Sequence, residues 1–251
     1  MSGHSKWATT KRQKAVVDAK RGALFTKIGN QIAIAARAGT DPTMNPSLAM
    51  VLDKARHANM PKANIERAIA RAADKSSAAL IEETYEAYGP GGIGIIIEVA
   101  TDNKNRTMPE VRNTLQKNGG RMADPGSVMF QFERKGVIFI SNQAPESDDK
   151  KKKDETEFKF DADEITMAAL ESGAEDVSEE DDGIEIITSA SDLMKIRQSL
   201  IDADLSVSSA ELKYIANNNI ELSDDDAAKA EKLLDAIDDL DDVTAVHTNL
   251  G

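Results

Sequence analysis

The 251-residue sequence contains no cysteine. This absence excludes disulfide bonds and thiolate metal sites, and it fits a reducing compartment. Aromatic residues are scarce at 4%, and Trp7 is the single tryptophan. No apolar run approaches the roughly 20 residues of a membrane-spanning helix, and the basic N-terminus lacks the apolar segment of a secretory signal. We therefore expect a cytoplasmic protein with no membrane partner.

Motifs for catalysis, cofactors and metals are also lacking. Gly89, Gly91 and Gly94 match the letters of a dinucleotide-binding loop, but no helix is predicted directly after them, so we interpret them as a tight turn between two strands. The lone histidines His4 and His57 have no partners at metal-ligand spacing. No Ser/His/Asp set is evident. The sequence therefore predicts a non-enzymatic protein without a cofactor or metal site.

Charge, in contrast, is present in quantity and is strongly segregated. The chain carries a net charge of −13, yet residues 1–80 hold 14 Lys and Arg against 5 Asp and Glu, a net charge of +9. Residues 81–135 carry −1 and residues 136–251 carry −21. A segment of +9 repels itself unless a polyanion neutralises it, so we expect nucleic acid to be its partner. The acidic end is expected to lie away from nucleic acid or to face a basic protein.

The candidate nucleic-acid contacts lie within residues 1–80. Trp7 lies among the cations of the first 27 residues and is expected either to stack on a base or to anchor this segment on the helices behind it. The other candidates are Lys and Arg side chains of this segment and of predicted helix faces: Lys6, Lys11, Arg12, Lys14, Lys20, Arg21, Lys27, Lys54, Arg56, Lys62, Arg67 and Arg71. For any single cation, a solvated helix face is the competing interpretation.

Hydrophobic periodicity predicts a multidomain α+β fold with three parts. Apolar residues at helical spacing predict a basic domain of three helices over residues 1–80. Residues 136–216 follow a β-α-β-β-α-β order and predict an acidic ferredoxin-like domain. The middle domain comprises residues 81–135 and 217–251, because the last helix and strand are expected to complete its sheet. The ferredoxin-like domain is then inserted in the middle domain.

Local signals add detail to the middle domain. Glu83 to Tyr88 and Ile93 to Ala100 predict a strand, the glycine turn and a second strand. Thr107 and Glu110 predict a capping box at the start of a helix. The alternation of apolar residues over 127–132 predicts a further strand.

Several motifs resemble the YebC family across essentially the whole chain: Gly3-His4-Ser5-Lys6-Trp7, Asp18-Ala19-Lys20-Arg21-Gly22, Asn59-Met60-Pro61-Lys62-Ala63-Asn64-Ile65-Glu66-Arg67-Ala68-Ile69, Tyr88-Gly89-Pro90-Gly91-Gly92, Thr101-Asp102-Asn103 with Asn105-Arg106-Thr107, Gly126-Ser127-Val128, and Gly173-Ala174-Glu175-Asp176. The stretch Arg121–Pro125 departs from the family's usual Asn-Leu-Gly. The resemblance implies a helical domain and two α+β domains, one inserted in the other, and no catalytic residues.

The resemblance also implies a function in gene expression. Family members are labelled probable transcriptional regulators that bind DNA, whereas relatives include a mitochondrial translational activator and members linked to the ribosome. No helix stands out with Asn, Gln and Arg at base-reading positions, which argues against sequence-specific DNA readout. Two hypotheses therefore stay open at this point: a DNA-binding transcriptional regulator and a translation factor that binds ribosomal RNA.

Overall fold

The computed structural model describes residues 18–73, 79–143 and 160–251. In these ranges the chain forms seven α-helices and two four-stranded sheets. The helices are α1 (Asp18–Ala35), α2 (Pro46–His57), α3 (Lys62–Ala73), α4 (Lys104–Lys117), α5 (Ala162–Ser172), α6 (Leu193–Asp202) and α7 (Asp224–Asp238). The strands are β1 (Ile81–Tyr88), β2 (Gly94–Thr101), β3 (Arg121–Met122), β4 (Phe132–Ser141), β5 (Asp176–Glu180), β6 (Gly183–Ser189), β7 (Ser209–Ala216) and β8 (Val243–Thr248).

The chain divides into two compact units. The larger unit takes residues up to Leu48, Lys62–Glu133 and Tyr214–Gly251, and the smaller unit takes Ala49–Pro61 and Arg134–Lys213. The N-terminal helices α1 and α3 thus share a unit with β1, β2 and β8, whereas most of α2 belongs with the ferredoxin-like segment. The mixed α/β class is as predicted, and the three-domain division stays a prediction.

The larger unit is built on a sheet with the strand order β3-β1-β2-β8. β1 and β2 form an antiparallel hairpin around the Pro90–Gly92 turn, as the glycine pattern predicts. Gly91 adopts φ +67, and a Cβ there would come within 2.3 Å of Leu222 Cδ2, so this turn favours glycine. β8 pairs antiparallel with β2, which confirms that the last strand completes the sheet begun by β1 and β2.

The two faces of this sheet are covered differently. One face packs against α4 and α7 through a core that includes Ile95, Ile97, Val111 and Leu233. Helix α1 also contacts β2 and β8. On the face opposite to that core, a second, smaller cluster joins Ile96 to Val128 and Phe132. Because β2 contributes buried side chains to both faces, its sequence reads as a nearly continuous apolar run instead of an alternation.

The smaller unit contains a sheet with the strand order β5-β6-β4-β7. Its elements follow one another as β-α-β-β-α-β, which is the predicted order. β6 pairs antiparallel with both β4 and β5. Helices α5 and α6 pack on this sheet through Ile165, Ile196 and Leu200, and Met50 of α2 packs against the same core.

Two local predictions for the middle domain were wrong. Residues 127–132 are not a strand: Met129–Gln131 forms a 3-10 turn and β4 begins at Phe132. Thr107 does not cap α4, because the helix already begins at Lys104 and the side chain of Asn103 accepts the Arg106 N–H. The Thr107 hydroxyl donates instead to Asp242 Oδ2 at 2.6 Å.

Candidate nucleic-acid interface

The N-terminal candidates Lys6, Trp7, Lys11, Arg12 and Lys14 lie outside the described residues, and their roles stay predictions. The structure places the backbone of Lys20 in the first turns of α1 but does not describe its side chain. Arg21, the next residue, is exposed. The described part of the interface therefore begins on α1.

Lys27 differs from the expectation of an exposed cation. The residue is 8% exposed, and its Nζ donates to the backbone carbonyl of Asp238 and to Asp238 Oδ1, the latter at 3.2 Å. The reason is that two adjacent sides of α1 are covered by protein. Ile28 and Ile32 are buried, and the neighbouring Lys27 contacts the C-terminal end of α7 in the same unit. Its charge is neutralised inside the protein, so Lys27 is removed from the candidate interface.

Helix α3 presents its cations to solvent. Lys62, Arg67 and Arg71 are all exposed, and the Lys62 side chain is 89% exposed. The buried Ala68 marks the side of the helix that packs into the protein. Arg71 donates to Asn30 Oδ1 at 3.1 Å, which links α3 to α1. Positive charge that remains solvent-accessible is what phosphate contacts require.

The cations of α2 are held in ion pairs within the smaller unit. Lys54 Nζ lies 2.7 Å from Glu211 Oε2, and Lys213 Nζ lies 2.9 Å from the other oxygen of this carboxylate. Burial raises the pKa of Glu211, but Lys213 and Lys54 outweigh that effect and hold the pKa well below its usual value. Lys54 is therefore engaged in a partly exposed ion pair within this unit.

Arg56 is exposed but also ion-paired. Its guanidinium lies 2.6 Å from Asp53 Oδ1, and Arg197 of α6 binds the other oxygen of the same carboxylate. Asp53 was not singled out in the sequence, because its role depends on Arg197, 144 residues away. No local pattern identifies such a bridge.

The structure thus separates the helical candidates into two groups. Arg21, Lys62, Arg67 and Arg71 are exposed on α1 and α3, two helices that pack together in the larger unit. Lys54 and Arg56 belong to the smaller unit and pair with its acids. Within the described ranges, no group of three or more acidic or histidine side chains is placed to hold a metal ion.

The model of the TACO1/YebC N-terminal domain matches residues 5–75, and the model of the TACO1/YebC second and third domain matches residues 80–250. The chain belongs to the TACO1/YebC family. The N-terminal match contains all the candidate cations, and the second match contains both sheets.

Similar proteins match this family member from end to end. A protein of Desulforamulus reducens is 44% identical, with 99% of this chain and 98% of the relative covered. One of Bifidobacterium animalis subsp. lactis is 47% identical, with 99% and 94% covered, and one of Roseiflexus castenholzii is 46% identical, with 100% and 95% covered. Each is named a probable transcriptional regulatory protein.

A solved structure shares the fold. The crystal structure of a conserved hypothetical protein from Aquifex aeolicus aligns with a TM-score of 0.86 and 34% identity, covering 98% of this chain and 97% of that one. Among the helices of the described ranges, none has the length and apolar character needed to cross a membrane.

Proposed function

We propose that this chain is a non-enzymatic, nucleic-acid-binding regulator of gene expression that acts in the cytoplasm as a DNA-binding transcriptional regulator. The observation that carries the proposal is the segregation of charge, +9 over residues 1–80 in a chain of −13. The names of its relatives, probable transcriptional regulatory proteins, support the regulatory role.

The proposed interface combines the N-terminal segment with the exposed faces of α1 and α3. Lys6, Lys11, Arg12, Lys14 and Lys20 supply phosphate contacts, and Arg21, Lys62, Arg67 and Arg71 extend them. Arg21, Lys62, Arg67 and Arg71 are included because their side chains are exposed. The other five are included because of their positive charge in the N-terminal segment. Lys27 and Lys54 are left out because acids of the protein hold them, and Arg56 contributes little because Asp53 pairs with it.

Binding through these residues is expected to depend on charge more than on base sequence. Arg67 Nη1 lies 3.5 Å from Asn64 Oδ1, and Arg71 donates to Asn30 Oδ1, so both asparagine oxygens already have partners in the protein. Base readout requires Asn, Gln or Arg side chains free to form paired hydrogen bonds with base edges. Phosphate contacts position a protein without specifying sequence.

An interface that depends on charge and lacks a base-reading helix favours a second candidate, a ribosome-associated translation factor that binds ribosomal RNA. Folded RNA is recognised largely by shape, backbone contacts and stacking, which suits an interface without a base-reading helix. The acidic smaller unit, which holds few of the exposed cations, then remains available for a basic protein partner.

The two candidates are separated by one comparison at matched salt. Promoter DNA binding and co-sedimentation with ribosomes are measured for the same full-length protein over a range of salt concentrations. A DNA regulator retains specific promoter binding over random DNA, whereas a translation factor co-sediments with ribosomes and shows no promoter preference. Absence of both activities contradicts the proposal.

The interface itself is tested by changing Lys11, Arg12 and Lys14 together to Ala. Each lost phosphate contact on a duplex flattens the log–log salt dependence of affinity by ~0.9, so the triple variant is expected to lose roughly 3 units of slope. Trp7→Ala lowers affinity without changing the slope if Trp7 stacks on a base, and lowers the melting temperature if it anchors the segment. An unaltered slope in the triple variant excludes the N-terminal segment.

A further inference from the structure

Phe130 is an exposed aromatic side chain outside the proposed interface. It is 71% exposed and lies in the 3-10 turn Met129–Gln131, between the buried Val128 and Phe132. Among the Phe, Tyr and Trp residues of the described ranges, Phe130 alone is exposed. The other exposed large apolar side chains of these ranges are aliphatic: Met44, Met108, Met167 and Leu170.

The backbone that carries Phe130 is fixed by a buried carboxylate. Glu86 on β1 is 7% exposed, and its carboxylate accepts the backbone N–H groups of Gly126, Val128 and Met129 at 2.5, 2.6 and 2.8 Å. Hydrogen bonds to a charged acceptor are roughly twice as strong as neutral ones. We call residues 123–131 the clamped loop.

Further contacts hold the middle and the C-terminal end of the clamped loop. In the middle, the Tyr88 hydroxyl donates to the Ser127 carbonyl at 2.9 Å. At the C-terminal end, the Asn217 N–H donates to the Gln131 carbonyl at 2.8 Å, and Asn249 Nδ2 donates to Gln131 Oε1 at 2.8 Å. An exposed ring on a backbone fixed in this way loses little conformational freedom when it makes a contact.

A cation lies beside the same loop. The exposed Arg121 places its guanidinium carbon 5.0 Å from the centroid of the Tyr88 ring, and the hydroxyl of that ring bonds Ser127. Arg121 lies on β3, next to the C-terminal end of α4. A fixed aromatic face with a neighbouring cation is the combination that binds an unpaired base and its phosphate.

We propose that the clamped loop is a second nucleic-acid contact, in which Phe130 stacks on an unpaired base and Arg121 contacts the adjacent phosphate. This inference rests on the proposed function and adds a preference for single-stranded segments. The surroundings favour a base over a protein partner. Arg121 supplies positive charge beside the loop, and Phe130 is a single exposed ring between the buried Val128 and Phe132, whereas protein hot spots lie within apolar, water-excluding patches.

The test uses the full-length protein and a labelled 12-nucleotide RNA of mixed sequence, with the same sequence as single-stranded DNA and as an RNA duplex. Phe130→Ala is expected to weaken single-strand binding by about tenfold, with an unchanged salt slope, and to leave duplex binding unaltered. Phe130→Trp retains affinity, and Phe130→Leu behaves like Phe130→Ala because leucine has no aromatic face. Arg121→Ala flattens the slope by ~0.7 on single strands.

Controls separate this site from the interface proposed above. Met44→Ala removes another exposed apolar side chain of the larger unit and is expected to leave binding unchanged. In a Trp7→Phe background, Phe130→Trp provides a single tryptophan whose fluorescence is quenched by stacking. Equal melting temperatures of the variants confirm that an exposed position has been changed.

Three outcomes overturn the inference. If Phe130→Ala binds as tightly as wild type while the Lys11, Arg12, Lys14 triple variant is weakened, this site is absent but the proposed function stands. If Phe130→Leu retains full affinity, the residue makes an apolar contact and not a stack. If wild type binds none of the probes at 0.1 M salt, both the site and the proposed function fail.

Discussion

Helices α2 and α3 are consecutive in the chain and similarly basic, yet their cations have different surroundings. On α2, Lys54 pairs with Glu211 and Arg56 with Asp53. On α3, Lys62 and Arg67 face solvent, with Glu66 3.7 Å from Lys62 in a highly exposed pair. Exposed pairs of this kind contribute little. Segment charge therefore overstates the charge available to a partner, and the location of the matching acids decides which cations remain available.

The largest expected effect is on a cation that the protein has fully enclosed. Lys27→Met removes one partner of Asp238 and is expected to lower the free energy of unfolding by about 3 kcal/mol, because a partly buried carboxylate loses this ion pair. Chemical denaturation monitored by circular dichroism measures this. Lys62→Met is the matched control and should change stability by less than ~0.5 kcal/mol. Equal stability of both variants would contradict the distinction between enclosed and exposed cations.

A comparison of α3 with α2 tests the availability of charge directly. Changing Lys62, Arg67 and Arg71 together to Ala should reduce the salt slope by ~2.7 units and duplex affinity about a hundredfold at 0.15 M salt. Changing Lys54 and Arg56 to Ala should leave the slope unchanged, because acids of the smaller unit already neutralise these cations. Fluorescence anisotropy titrations at several salt concentrations measure both. A larger loss from the α2 variant would reverse the assignment.

Two carboxylates with lowered pKa values extend the comparison to pH. Burial raises the pKa of Glu86, but the N–H donors of Gly126, Val128 and Met129 outweigh it and bring the pKa below its ordinary value of 4.5. The pKa of Glu211 is lowered by the cations Lys213 and Lys54. Because the folded-state pKa lies below the unfolded value in both cases, each group stabilises the fold above about pH 4.5, and the contribution is lost as pH falls through the folded-state pKa.

Salt should distinguish these two carboxylates. Glu86→Gln is expected to cost about 2 kcal/mol at pH 7, because charge-assisted bonds to backbone donors are lost, and added salt should alter this cost little. The Glu211 pairs are partly exposed, so their contribution should decline with salt. Amide hydrogen exchange between pH 4 and 7, resolved for the clamped loop and for β7, measures each site in its own unit. A strong salt dependence at the clamped loop would contradict this account.

The smallest expected effect is that of a single α2 cation. Lys54→Met keeps most of the aliphatic volume and removes one of the two cations at Glu211, and it should cost roughly 0.5 kcal/mol because both side chains are partly solvated. Thermal melts in low and high salt measure the change, with Lys62→Met as control. A loss above 2 kcal/mol would indicate that α2 depends on this pair for its position.

The sequence predicted the elements well where each one depends on its own periodicity. The helices α5 to α7, the β1–β2 hairpin and β8 follow directly from local patterns and turn residues. It predicted poorly where a distant residue decides. Val128, Phe130 and Phe132 alternate as in a strand. The carboxylate of Glu86, over 40 residues earlier, nevertheless accepts the N–H groups of Val128 and Met129, and the resulting turn leaves Phe130 exposed.

The candidate interface follows the same rule. The total charge and the exposed cations of α3 are visible in the sequence, because an amphipathic helix displays its polar face. The enclosure of Lys27 is not visible, since Asp238 lies 211 residues away and belongs to an acidic cluster with no local signature of pairing. Asp242 is similar: it accepts from Arg106 and from Thr107, and the sequence predicted Thr107 as a helix cap.

The β2–β8 pairing has a consequence for synthesis. Val99 pairs with Val243, so the larger sheet depends on strands separated by nearly 150 residues, and such non-local pairing forms slowly. All strands of the smaller sheet lie between Phe132 and Ala216 and leave the ribosome before β8 does. During translation, the edge of β2 that pairs with β8 therefore stays unpaired after all four strands of the smaller sheet have been synthesised. Nascent chains extended by a C-terminal linker and stalled with β8 inside or outside the ribosome should differ sharply in the protease resistance of β1 and β2.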